Sequence, residues 1–84
     1  MAAAKHARIS INPAIMVGKP CIKGTRVTVE QILRELGAGL SLDDILDAHP
    51  HLTAEGVYAA AAYAADVIAA EDIIFGEPSD AVSG

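Results

Sequence analysis

The residues best equipped for chemistry in this 84-residue chain are its cations, and all of them sit at one end. Lys5, Arg8, Lys19, Lys23, Arg26 and Arg34 are its entire complement of Lys and Arg. Glu30 alone opposes them within positions 1–34, a net charge of +5, whereas positions 35–84 carry ten carboxylates and no Lys or Arg. The overall net charge of −5 and pI of about 4.9 therefore conceal a basic front and an acidic rear. Lys and Arg neutralise phosphates, so the front is where a nucleic acid would sit, with Arg8, Lys19, Lys23, Arg26 and Arg34 as its ligands. The plainer reading of the same residues is a solvated surface that balances the acidic half.

Other reactive side chains do not assemble into a known chemistry. His6, His49, His51 and Cys21 lack paired metal-ligand spacing, and His49-Pro50-His51 reads as a turn with surface histidines. Cys21 reads as a small, partly buried thiol without a base to activate it. Gly18-Lys19 and Gly24-Thr25 lack the spacing and following helix of a phosphate loop. Asp43, Asp44 and Asp47 read as the wet face of a helix. The expectation is a protein that is not an enzyme and uses no cofactor or metal.

One rear segment is suited to docking. Glu71, Asp72, Ile73, Ile74 and Phe75 place an apolar triplet among acids, as a peptide seeking a basic-rimmed groove on another protein would. The plainer reading is the last turn of a helix folding back on its own core.

Short elements must position these residues. Ala7–Asn12 alternates, with Ile9 and Ile11 on one face, and Asn12-Pro13 ends it. Arg26–Val29 is β-branched and alternating, so the two runs are expected to pair as a hairpin or arm whose loop carries Lys19 and Lys23. Three helix starts follow, each a cap with a hydrophobic staple: Thr28 with Val27 and Ile32, Ser41 with Leu40 and Ile45, Thr53 with Leu52 and Val57. Gln31 and Asp44 complete capping boxes for the first two. Helix one buries Val29, Ile32, Leu33 and Leu36 and stops at Gly37 or Gly39. Helix two is Leu42–Ala48, offering Leu42, Ile45 and Leu46. Helix three runs from Ala54 towards Ala70. Positions 1–70 are thus one domain and 71–84 an acidic tail.

Only four residues join helices two and three, a helix-turn-helix spacing shared with ordinary helical hairpins. Helix three offers Glu55, Tyr58, Tyr63, Asp66 and much Ala, but no Lys, Arg, Asn or Gln to read base edges, so the basic arm must do most of any DNA binding. Its small residues suit close packing against another helix. A chain this short supports a marginal core, and without a disulfide a homodimer is expected. No apolar run is long enough for export or membrane insertion, and one unpaired Cys accords with the cytoplasm.

Asn12-Pro13, GKPCIKGTRVTVEQIL at 18–33 and GLSLDDILDAHPHLTAEGVYAAAAYAAD at 39–66 resemble the domain-of-unknown-function 433 family of small prokaryotic proteins. The resemblance spans roughly positions 8–68. Its most specific pieces are Gly24-Thr25-Arg26 before the β-branched run and Leu52-Thr53 after His-Pro-His. It implies a mainly α, three-helix, homeodomain-like helix-turn-helix domain with a short N-terminal β arm. It also implies a dimer resembling VapB-type antitoxins, which bind a PIN-like ribonuclease toxin and repress their own operon. Thr25 joins the DNA-contacting residues through that motif. The alternative is a dimeric helical interaction module that does not touch DNA.

Overall fold

A computed structural model describes residues 6–75, with side chains described as far as Ala70. Two short strands, β1 (Ile9–Ser10) and β2 (Cys21–Ile22), precede three helices, α1 (Val29–Gly37), α2 (Leu42–Ala48) and α3 (Ala54–Phe75). The chain is mainly helical, with a small antiparallel hairpin pairing Ile9 with Ile22 and Ser10 with Cys21.

The hairpin uses a different second strand from the one expected. β1 pairs with Cys21–Ile22, and the Val27–Thr28 run lies on the opposite edge of β2, where Ile22 N–H donates to Val27 C=O at 2.9 Å and Cys21 bridges Thr28. The reason is a tight reversal at Ile22–Thr25. Thr25 N–H closes it onto Ile22 C=O at 2.9 Å, and Gly24 takes a φ of +83°, which favours glycine. Val29 is already helical. β1 also ends early: Asn12-Pro13 turns the chain, Ile15 N–H reaching Asn12 C=O at 2.8 Å and Ala14 N–H the Asn12 side chain at 2.9 Å. Ile11, expected to share a face with Ile9, is therefore 59% exposed.

Helix ends follow the capping chemistry. Thr28 Oγ1 accepts from Gln31 N–H at 3.0 Å, but the Gln31 side chain turns to Glu35 instead of completing the box. Ser41 and Asp44 form both halves of theirs. Thr53 Oγ1 accepts from Gly56 N–H at 3.2 Å. α1 ends in a Schellman arrangement: Leu40 N–H donates to Glu35 C=O, Gly39 N–H to Leu36 C=O, and Gly39 has φ +96°.

The core gathers Ile22, Val29, Ile32, Ile45, Leu52, Val57 and Ala60, with the staple residues Val27 and Leu40 packed at its edge. Ile32 and Ile45 are wholly buried, each contributing on the order of 1.5–3 kcal/mol by leaving water. Leu36, expected in this core, is exposed because the inward stripe of α1 ends a turn earlier, at Leu33. Gly56 is buried where α3 crosses the hairpin. A Cβ there would lie 3.0 Å from Leu52 Cδ1 and 3.1 Å from Ile22 Cγ2. Among the described residues, no helix is long and apolar enough to cross a membrane.

Candidate nucleic-acid interface

The Gly24 turn projects two cations. Lys23 and Arg26 flank it and are exposed, while Lys23 N–H donates to Arg8 C=O at 2.7 Å, which brings Arg8 beside them on the neighbouring strand. Among the described residues, no carboxylate lies within ion-pair distance of Arg8, Lys23 or Arg26. Among the described residues their charge is thus without an acidic partner, the condition for neutralising a phosphate. Thr25 serves the turn itself: its hydroxyl donates to Ile22 C=O at 2.8 Å and accepts from Val27 N–H at 3.0 Å. It shapes the loop that presents Arg26.

Arg26 also lines a concavity of about 510 Å³ with Thr25, His49, Pro50 and His51, between the hairpin turn and the α2–α3 connection. From the sequence, His49 and His51 are expected to be surface histidines of a turn, with no link to Arg26. The contact is tertiary, so no spacing within the chain signals it.

The other two predicted cations are elsewhere. Lys19 Nζ and an Arg34 guanidinium nitrogen both lie 3.0 Å from Glu30, which they share. Hydrogen bonds from Lys19 and then Arg34 hold the Glu30 carboxyl below its ordinary pKa. This trio rims a separate apolar groove of about 460 Å³ between α1 and α3. The six expected DNA contacts therefore divide into a group at the turn, Arg8, Lys23, Thr25 and Arg26, and the pair Lys19 and Arg34, which share the one carboxylate of Glu30 on α1. The expected partner-binding residues Glu71, Asp72, Ile73, Ile74 and Phe75 continue the α3 backbone, and their side chains lie outside the described residues.

Two histidines have acidic partners that the chain order hides. His49 Nε2 lies 3.0 Å from Glu35 Oε2, and both side chains are largely buried. Gln31 and then His49, by hydrogen bonding, hold the Glu35 carboxyl below its ordinary pKa. His6 lies 2.8 Å from Asp66 and edge-on to Tyr63, with ring centres 5.2 Å apart, fastening the start of the described chain to α3. Cys21 is buried and its thiol donates to Lys19 C=O at 3.3 Å, a structural placement.

Known proteins share this architecture. A family model described as protein of unknown function (DUF433) matches residues 9–64, two-thirds of the chain. A crystal structure of a DUF433 member from Anabaena variabilis ATCC 29413 superposes with a TM-score of 0.69 at 27% identity, covering 83% of this chain and 69% of that one. The uncharacterized protein y4eO of Sinorhizobium fredii (strain NBRC 101917 / NGR234) is 37% identical over 62 residues, 74% of this chain. The chain spans 28% of that relative's length. The chain belongs to the DUF433 family.

Proposed function

We propose that this DUF433 protein is a DNA-binding antitoxin of a type II toxin–antitoxin pair, and not an enzyme. In this reading it represses its own operon through the hairpin turn and neutralises a PIN-like ribonuclease toxin in the cytoplasm through Glu71–Phe75. The observation that carries the DNA half is the set Arg8, Lys23 and Arg26 at the hairpin turn, with no carboxylate in ion-pair range among the described residues and with Arg26 sharing a concavity with His51. α2 and α3 are read as the pair of a homeodomain-like helix-turn-helix, with the turn positioning the phosphate backbone and α3 contributing little charge.

The second reading is a helical interaction module that does not bind DNA. It is favoured by one observation: α3, the helix that would enter a groove, carries no Lys or Arg along Ala54–Phe75. Titration of labelled promoter duplex between 50 and 200 mM salt separates the two. Two copies supplying three cations each should give a log–log slope near −5. Replacing Lys23 and Arg26 by Ala should lower that slope by roughly 3–4 and weaken binding. Unchanged affinity in that double variant removes the DNA reading. For the toxin half, deleting 71–84 should abolish association with a PIN-like ribonuclease encoded beside this gene; retained neutralisation removes it.

A further inference from the structure

The concavity between the hairpin turn and the α2–α3 connection has more room than a lone phosphate needs. Ile15, Val27, Ala48 and Pro50 give it apolar walls, and its volume of about 510 Å³ falls among those of small-molecule sites. Its polar groups come from two separate elements, Thr25 and Arg26 from the turn, His49 and His51 from the connection. None of the lining residues is acidic. Arg26 and His51 are exposed, and among the described residues their side chains have no hydrogen-bonding or ionic partner.

His49 is held differently. It is half-buried, and its Nε2 must donate to Glu35, because an ionised carboxylate only accepts. That bond fixes the ring and leaves Nδ1 without a partner among the described residues. The Thr25 hydroxyl is engaged inside the turn. The recess therefore combines an open guanidinium, an open imidazole and one anchored imidazole.

A guanidinium offers paired donors that fit two oxygens of a phosphate, and an imidazole N–H adds another. A duplex presents its phosphates along a convex rail, which projecting side chains reach without any recess. A walled space beside the cations serves a ligand that places a body in it. The walls select that body: aliphatic side chains and the ring of Pro50 suit a planar base better than a sugar covered in hydroxyls, which they would desolvate. His49 Nδ1 supplies a hydrogen-bonding atom for the base or the ribose. A terminal phosphate carries roughly two negative charges at neutral pH where a phosphodiester carries about one, so it gains more from Arg26 and His51.

We propose that this concavity binds a mononucleotide, its terminal phosphate on Arg26 and His51 and its base against Ile15, Val27 and Pro50. The site shares Arg26 with the DNA reading, whereas Arg8 and Lys23 are not in its lining. An occupied site withholds Arg26 from DNA, so mononucleotide and promoter should compete. That consequence alone rests on the DNA reading.

Isothermal titration of the full chain with adenosine 5′-monophosphate tests the site, with adenosine and inorganic phosphate as its separate halves. The monophosphate should bind with a Kd below about 1 mM, and at least about tenfold more tightly than either half. Arg26→Ala and His51→Ala should each weaken it by about tenfold or more. Lys23→Ala should weaken promoter binding and leave the monophosphate unaffected. In an NMR titration of the wild type, the amides of Gly24, Thr25 and His49 should shift while those of Leu33 and Ala64, in the α1–α3 groove, stay in place. That measurement decides the matter if a variant unfolds. No binding to about 1 mM, equal affinity for adenosine or phosphate alone, or indifference to both Arg26→Ala and His51→Ala overturns the proposal. The same phosphate occurs at strand ends. A 5′-phosphorylated single strand that binds while the free monophosphate does not overturns the mononucleotide assignment. Failed promoter binding beside a successful titration counts against the DNA reading alone.

Discussion

His49 and Glu35 stand fourteen positions apart in the chain, yet the imidazole Nε2 meets the carboxylate at 3.0–3.1 Å through both of its oxygens. Glu35 lies in the last turn of α1 and His49 caps α2, so the pair fastens the corner between two helices. Glu35 further accepts from Gln31 Nε2 at 2.6 Å. One carboxylate therefore holds two side chains, those of Gln31 and His49.

This pair makes stability depend on acid. The folded pKa of Glu35 is lowered below 4.5, first by Gln31 and then by His49. Its contribution is therefore present above the unfolded value and is lost as pH falls through the folded one. Glu35→Gln should cost about 1–2 kcal/mol at pH 7, as expected for a hydrogen bond involving a charged group. In urea unfolding, the gap between wild type and variant should close as pH drops below about 4.5. A gap that does not change between pH 7 and pH 3 contradicts this account.

The division of the cations predicts unequal effects on DNA. Lys23→Ala or Arg26→Ala should each weaken promoter binding and cut its salt dependence, about 0.9 of a slope unit per copy. Lys19→Ala and Arg34→Ala remove charges already shared with Glu30 and should do much less. Equal losses across all four variants in a fluorescence anisotropy series would show that the Glu30 pairing is irrelevant to the interface.

Val17 is strained. It has φ +57° and ψ +33°, its neighbour Met16 has φ +51°, and its side chain is 92% exposed. A β-branched residue in the left-handed region costs on the order of 1–2 kcal/mol and recovers nothing here by burial. Val17→Gly should relieve that strain and, after the added chain entropy of Gly is subtracted, raise stability by up to about 1 kcal/mol. Thermal and chemical unfolding would measure it; a clear loss of stability would show that the valine side chain has a partner.

Gly56→Val should be costly. The new Cβ would sit 3.0 Å from Leu52 Cδ1 and 3.1 Å from Ile22 Cγ2, and two methyl groups would follow it into the core. Overpacking of this kind costs about 1–3 kcal/mol, a large share of the stability of a domain this size. A variant with an unchanged urea midpoint would mean that α3 can retreat from the hairpin.

Local chemistry was legible in the chain. Thr28, Ser41 and Thr53 cap their helices, and α2 spans the expected Leu42–Ala48, because caps and staples act within five residues. The hairpin was legible in kind but not in partner. Gly24 reverses the chain between β2 and Val27–Thr28, and alternation in Arg26–Val29 cannot tell which edge it will occupy. Ile11 and Leu36 have the right spacing and still face outward, since a turn and a helix end remove them from the core. The cationic front was visible in the charge pattern. Its division was only half visible: Glu30 and Arg34 are at i,i+4, but Lys19 arrives across eleven positions. His51 joins Arg26 through the fold alone.

The close seat of Ile22 on Gly56 means that the hairpin is a bracket bolted to the long helix rather than a free-swinging finger. Wherever α3 is clamped, the loop with Arg26 is carried along at a set angle.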